Sequence, residues 1–235
     1  MNSTNLALTS AAVASDSQQQ ATADSLHAVL QLIDSQHPNR QALQYFIAQG
    51  FARHYQATVS QFMPYLVGVQ QAGAFQAALG IRFARQHQLF TEQYLPSAAE
   101  LVLQQQGIVS WRAGIAEIGH LYAESAVALM QLFVLTVQAL HQLNIRHLVF
   151  AATADLQRML QRHGLKLSVL AKADPSHLGD KAKDWGSYYL QQPQVCVLSL
   201  PQAAERIHGD NRLQQLIFRH WPQLHSLVDT LKESV

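Results

Sequence analysis

Between Ile115 and Gly164 the chain runs through an apolar strand pattern, a long amphipathic helix pattern, a second strand pattern and a second helix pattern. This order constrains the fold most, because two strands joined by a helix of that length lie parallel in one sheet. The first strand, over 115–122, carries one carboxylate, Glu117, among apolar residues. An unpaired charge there is expensive, so Glu117 requires a partner, with Arg82 and Arg112 as candidates, or a raised pKa. The helix over 126–143 places Leu129, Leu132, Phe133, Thr136, Val137 and Leu140 on one face, and Asn144 ends it. The next strand covers 145–151, and Thr153 or Asp155 starts a helix that closes at Gly164.

Outside this unit the pattern predicts a short helix over 25–34, a break at His37-Pro38, and a helix from Asn39 through Phe51. Strands over 65–69 and 75–83 flank a turn at 70–73 and form an antiparallel hairpin. A helix over 97–105 follows, with Ser97 as N-cap and Glu100 at N3 in the capping-box arrangement. Two more strands, over 165–171 and 194–200, close the sheet, and a tail helix over 211–232 is interrupted at Trp221-Pro222. No Pro/Gly/Ser-rich linker divides the chain, which therefore reads as a disordered tail over 1–24, one domain over 25–205 and a helical extension over 206–235. A hairpin, a crossover and two closing strands predict a mixed α/β (α+β) sheet with helices on both faces.

Charged residues make up 13% of the 235, about half the roughly 25% usual for soluble domains. With a net charge of +1 and no long runs of one sign, the chain lacks the basic footprint of a nucleic-acid binder. Cys196 is the only cysteine, which excludes an intrachain disulfide and a cysteine metal cluster and fits a reducing compartment. No apolar run reaches the 18 or so residues of a spanning helix, and the first residues lack the basic start of a secretory signal. The expectation is a cytoplasmic protein with no membrane span. Its histidines form no H-E-x-x-H pair, so no metal is expected, and neither a G-x-S-x-G elbow nor a Walker loop is present.

Several short motifs then occur in a characteristic order. They are Gly80-Ile81-Arg82-Phe83-Ala84, Leu89-Phe90-Thr91-Glu92-Gln93-Tyr94-Leu95, Glu117-Ile118-Gly119-His120-Leu121, Val149-Phe150-Ala151-Ala152-Thr153, Leu170-Ala171-Lys172-Ala173-Asp174-Pro175 and Trp185-Gly186-Ser187-Tyr188-Tyr189. Together they resemble the bacterial thermostable hemolysin family over about residues 45–200. That pattern is similar in turn to the GNAT-type acyltransferase fold and to the acyl-homoserine-lactone synthases that share it. The resemblance implies two splayed parallel strands, 115–122 and 145–152, whose main-chain groups hold the pantetheine arm of an acyl thioester. It implies no tightly bound cofactor: the thioester, on phosphopantetheine or coenzyme A, is a co-substrate, and a small amine is the acceptor. The glycine-bearing turn that grips the pyrophosphate of coenzyme A in GNAT enzymes is replaced here by Glu124-Ser125-Ala126-Val127-Ala128. An acyl-carrier protein is therefore the alternative donor. The family name also leaves open a membrane-active hemolysin, and the fold leaves open a non-catalytic interaction protein.

The residue candidates follow from this chemistry. Aminolysis of a thioester needs a group that takes the amine proton, and Glu117 and His120 are the candidates. Strict alternation puts them on opposite faces of the strand, and only a bulge lets them share one site. Arg82, Glu92 and Tyr94 match family positions on the acceptor side. Thr153 stands at the carboxyl end of a parallel strand, where ligands collect in such sheets, and it equally suits a helix cap. Asp174, Trp185 and Tyr188 come from the loop expected to close over the sheet, where the aromatics either wall an acyl tunnel or anchor the loop. Arg158, Arg162 and Lys166 recur every four residues and form a candidate basic patch for an acidic carrier protein.

Overall fold

The computed structural model describes residues 28–233 and 235. Among these residues seven strands form one sheet in the order β1-β2-β3-β4-β5-β7-β6. They are Val29–Ile33 (β1), Tyr65–Gln71 (β2), Ala74–Phe83 (β3), Ile115–Ala123 (β4), His147–Ala152 (β5), Leu167–Lys172 (β6) and Gln194–Ser199 (β7). β4 and β5 pair in parallel, and every other neighbouring pair is antiparallel. The helices are Arg40–Tyr55 (α1), Ala99–Gln105 (α2), Ala126–Gln142 (α3), Ala154–Arg162 (α4), Leu200–His208 (α5), Asn211–Arg219 (α6) and Trp221–Lys232 (α7). The mixed sheet, the hairpin and the parallel crossover expected from the pattern are all present. The tail expected over 1–24 lies outside the described residues.

Two local expectations are corrected, and one helix is added. The helix expected over 25–34 is instead strand β1 wherever it is described, paired from Val29↔Gln70 to Ile33↔Leu66. The five residues Val29-Leu30-Gln31-Leu32-Ile33 are too few to show a decisive period, and the open ladder of β2 settles their conformation. The capping box on the helix at 97–105 is absent: α2 starts after Ala98 with no side-chain cap, and the Ser97 hydroxyl is buried without a partner among the described residues. The Ala99 N–H donates instead to Glu92 Oε1 at 2.9 Å, while Glu100 pairs with Arg112 at 2.9 Å. Helix α5, with Pro201 in its first turn and Ala203, Ala204 and Ile207 buried, was not anticipated.

Alternation along the strands sorts the core. Ala116 and Ile118 of β4, Leu148 and Phe150 of β5, and Cys196 and Leu198 of β7 face α3 in the main cluster. Ile115, Val149, Val195 and Val197 face the opposite side, with Leu89, Tyr94 and α2, and Leu66, Ala78 and Tyr122 pack under α1. Helix α3 is buried all round from Leu132 to Leu140, not on one face only. Its outer side is covered by α5, α6 and α7, so the segment expected as an extension contributes Ile217, Leu224, Leu227 and Leu231 to the main cluster. Each fully buried leucine or phenylalanine there stabilises the fold by about 1.5–3 kcal/mol.

Candidate functional site

The central feature is where β4 and β5 part. Their parallel register holds for Ile115↔His147, Ala116↔Leu148 and Glu117↔Val149 and stops there, although β4 continues to Ala123 and β5 to Ala152. The cause lies on the other edge of β4. Ala78 of β3 pairs with Tyr122 and Gly80 with Gly119, so two steps along β3 match three along β4. This is a β-bulge, which bends the strand and increases its twist. His120 sits in it with φ +54, in the left-handed region that histidine enters more readily than most residues. Beyond the bulge the main-chain groups of β4 that face β5 have no ladder partner, and a cavity of 450 Å³ occupies the gap between the strands.

The bulge also reverses which side chains face which way. Ile118 faces α3, yet Tyr122, four residues on, packs under α1 on the opposite side. His120 is turned with it: its ring lies 5.5 Å from that of Phe62, and it lines the same cavity as Glu117. The condition under which the two residues share one site is therefore met. Glu117 is 1% exposed. Its Oε2 accepts the Phe90 N–H at 2.9 Å and its Oε1 the Thr91 N–H at 2.6 Å, while Arg82 Nη1 stands 3.5 Å from Oε2. Burial pushes its carboxyl above the usual range, against the pull of those N–H groups and of Arg82. His120 goes the other way: burial, then the Arg82 charge, lowers its imidazole to about 4. The ring is therefore neutral at neutral pH, and its Nδ1, shielded from solvent, has no hydrogen-bond partner among the described residues.

A second cavity, of 590 Å³, adjoins the first. The two share Met63, Phe90, Gly119, His120 and Trp185 as wall residues, so they meet at the bulge. Met63 packs against both Gly80 and Gly119, and its segment is held by Arg40, which donates to the Ile33, Met63 and Pro64 carbonyls. Trp185 ends a 3-10 helical flap, Pro175–Trp185, broken at Gly179 (φ 56, ψ −132). The flap is fastened to the end of α1 through Thr58 N–H to the Asp184 carbonyl at 2.6 Å and Ser187 N–H to the Tyr55 carbonyl at 2.7 Å. Between these two bonds Gly186 has φ +51, and a Cβ there would lie 2.0 Å from the Tyr55 oxygen. Gly186→Ala is expected to release the flap and to destabilise the protein by about 1–3 kcal/mol, the scale of one strained backbone residue. Limited proteolysis within 175–192 and Trp185 fluorescence check this.

The other candidates divide sharply. Tyr94 is buried in the first cavity, its hydroxyl 2.5 Å from that of Tyr189. Tyr188 lines the same cavity, with its hydroxyl 3.5 Å from the Ala151 carbonyl, and its ring lies 5.2 Å from that of Tyr55. Trp185 and Arg82 are also wall residues, Arg82 in the second cavity. Thr153 caps α4 by accepting the Leu156 N–H at 3.4 Å and faces the first cavity as well. Asp174 is not brought in: it is exposed and accepts the Ser176 N–H at 2.9 Å to cap the flap. Glu92 also lines neither cavity. The basic patch is not one helix face, since α4 ends at Arg162 and Gly164 (φ +79) turns the chain before Lys166. Arg158 is moreover paired with Asp155. Wall residues that sequence reasoning missed include Phe51, Tyr55, Met63, Phe90 and Tyr189, together with the segment 58–62 and Lys181 and Asp184 of the second cavity. Phe90 and Tyr189 lie inside motifs of the family resemblance, at positions given no role there, whereas 58–62 has no periodic signal.

Glu92 has a structural task. Beyond Ala99, its carboxylate takes the Leu89 N–H at 2.9 Å and the Arg112 guanidinium at 2.7 Å. Burial works against its charge, but Arg112 and the two N–H groups prevail and hold it below its ordinary value of 4.5. A carboxyl depressed in the folded state contributes stability above its unfolded pKa and loses it as pH falls through the folded one. Wild-type protein is therefore expected to lose more of its urea midpoint than Glu92→Gln does between about pH 6 and about pH 3.

The first cavity opens toward the start of α3. Ser125 caps that helix by accepting the Ala128 N–H at 3.2 Å. The Glu124 carboxylate stands beside it, bound to Arg53 at 2.9 Å and to the Tyr122 hydroxyl at 3.1 Å. The model of the family named Thermostable hemolysin matches residues 33–204. The chain belongs to this family. No curated protein matches it in sequence. Solved structures similar to it include the AHL synthase LasI, 15% identical, covering 74% of this chain and 90% of that one at a TM-score of 0.52. Another is the CoA-dependent acyl-homoserine lactone synthase BjaI, 10% identical, covering 83% and 90% at 0.54. A third is FeeM, an N-acyl amino acid synthase from uncultured soil microbes, 12% identical, covering 77% and 94% at 0.52. These likenesses establish the GNAT-like fold for this member of the thermostable hemolysin family. Among the described residues, no helix is long and apolar enough to cross a membrane, and no group of three or more His, Cys, Asp or Glu is placed to hold a metal.

Proposed function

We propose that the protein is an acyltransferase that moves an acyl group from a thioester to a small amine by direct attack in a ternary complex. The observation that carries this reading is the meeting of two cavities at the His120 bulge, one between the splayed strands and one beyond them. The pantetheine arm enters between β4 and β5, where unpaired main-chain groups replace a missing strand as hydrogen-bond partners. Its acyl group lies toward Phe90, Tyr94, Trp185 and Tyr188, an aromatic wall suited to an apolar chain. The amine nitrogen attacks the thioester carbonyl, the C–N bond forms, the C–S bond breaks, and the sulfur leaves as thiolate. His120 accepts the proton the amine loses and returns it to the thiolate, so amide and thiol are the products. Both oxygens of Glu117 already accept main-chain N–H groups, so it is assigned the positioning of the 3-10 turn Phe90–Tyr94 and of Arg82. The names of FeeM and of the lactone synthases describe acylated products of this kind.

An acyl-carrier protein is favoured over coenzyme A as donor. The turn before α3 has no glycine, its cap is already bonded, and the Glu124 carboxylate stands where a pyrophosphate would approach. Phosphopantetheine on a carrier protein brings no pyrophosphate. The test is thiol release and product mass from purified protein given acyl-carrier proteins or acyl-coenzyme A with a panel of primary amines. Release that requires the amine, and that is faster with carrier-bound donors, is the expected result. No amine-dependent release with either donor would overturn the reading.

A further inference from the structure

From the charges on the wall of the second cavity we infer that the acceptor is an amine that also carries an anionic group, held by Arg82 and Lys181. This rests on the acyl-transfer reading for the word acceptor only; the anion site itself stands on the geometry. Arg82 stands on the wall of the second cavity, its side chain 23% exposed. Nη1 reaches Glu117 at 3.5 Å and the Gln88 carbonyl at 3.4 Å. Both distances are long for such bonds, and Glu117 already accepts two shorter N–H bonds. The Nε and Nη2 groups have no hydrogen-bond partner among the described residues, and Arg82 lines the second cavity while Glu117 lines only the first. A guanidinium with one edge unengaged presents the planar fork that binds carboxylate or phosphate through two parallel bonds.

The rest of the cavity agrees in sign and size. Lys181, from the flap, adds a second cation, Asp184 adds one acid, and His120 is neutral, so the wall is net positive. Thr58, Ser60, Gln61 and Gln93 supply neutral polar groups. The volume of 590 Å³ falls in the range of sites for ligands well above the size of a bare alkylamine. Occupation of this fork by an anion would also act on the reaction. The Arg82 charge is one of the causes that hold the His120 imidazole low, and an anion bound to Arg82 offsets it, making His120 a better proton acceptor when the correct acceptor is present.

The test measures binding to the full chain by titration calorimetry with no acyl donor, using paired probes: phenylalanine against phenethylamine, and O-phosphoethanolamine against ethanolamine. The anionic member of at least one pair is expected to bind about tenfold or more tightly, the scale of hydrogen bonds to a charged group, and the favoured pair tells carboxylate from phosphate. Arg82→Gln and Lys181→Glu are each expected to reduce that ratio. Lys181 is exposed, so its variant reports even if Arg82→Gln fails to fold. Equal binding of both members in both pairs, no binding by any probe, or a ratio unchanged in Lys181→Glu would overturn the anion site. Acylation of the probes is scored separately. Selective binding without acylation by any donor would reject the acyl-transfer reading and leave the anion site standing.

Discussion

His120→Asn is expected to lower kcat for amine-dependent thiol release by about 10²-fold or more, the scale of losing a positioned proton acceptor. Asparagine is the informative replacement, because it tolerates the left-handed conformation that the bulge imposes (φ +54). The fold, and with it the separation of β4 from β5, is thereby retained while the titratable ring is removed. Unchanged circular dichroism and unchanged melting alongside the lost rate would separate chemistry from structure; an undiminished rate would remove His120 from the reaction. The ring should also titrate far from its ordinary value. Burial and the Arg82 charge lower it from 6.5 to about 4, so between these values the unfolded chain binds a proton that the native protein does not. Stability is therefore expected to fall as pH drops through that window and to be full above it. Nuclear magnetic resonance titration of the His120 ring checks the value directly, free of the ionisation of the amine substrate.

Glu117→Ala is expected to cost about 3–5 kcal/mol of stability, as when one partner of a buried charge network is removed. The variant leaves the Phe90 and Thr91 N–H groups without their acceptor and Arg82 without its carboxylate, and it opens a void where a 1% exposed side chain stood. For a chain of this size each kcal/mol corresponds to roughly 2–4 °C in melting temperature. Glu117→Gln should be milder, because one of its two terminal atoms still accepts an N–H while the other presents a donor to a donor. A melting temperature for Glu117→Ala within about 2 °C of wild type would show that the carboxylate is not the anchor of the 3-10 turn. Activity measured on the surviving Gln variant then tells whether Glu117 has more than a positioning task.

Much of the architecture was legible in the chain because it depends on local pattern. The alternation over 75–83, the apolar period through α3 and the left-handed caps at Asn144 and Gly164 are short-range signals, and the structure places the corresponding elements within a few residues. The demand that Glu117 find a partner was equally local: a charge inside an apolar strand has a large desolvation cost wherever that strand packs. Where signals were short or absent the reading failed. Residues 29–33 lack a period and followed the free edge of β2. Ser97 and Glu100 had the spacing of a capping box, yet Glu92 and Arg112 claimed the groups involved.

The sequence by itself determined that a strand carrying Glu117 and His120 runs beside a parallel partner, because periodicity and helix length leave no other arrangement. Tertiary structure alone decided that the two residues face the same way. The pairing of Gly80 with Gly119 and of Ala78 with Tyr122 forces one extra residue into β4, and no residue type in the strand announces where a ladder slips. That single slip turns His120 toward Glu117, separates β4 from β5 and sets the junction of the two cavities, since a bulge changes side-chain direction and strand twist together.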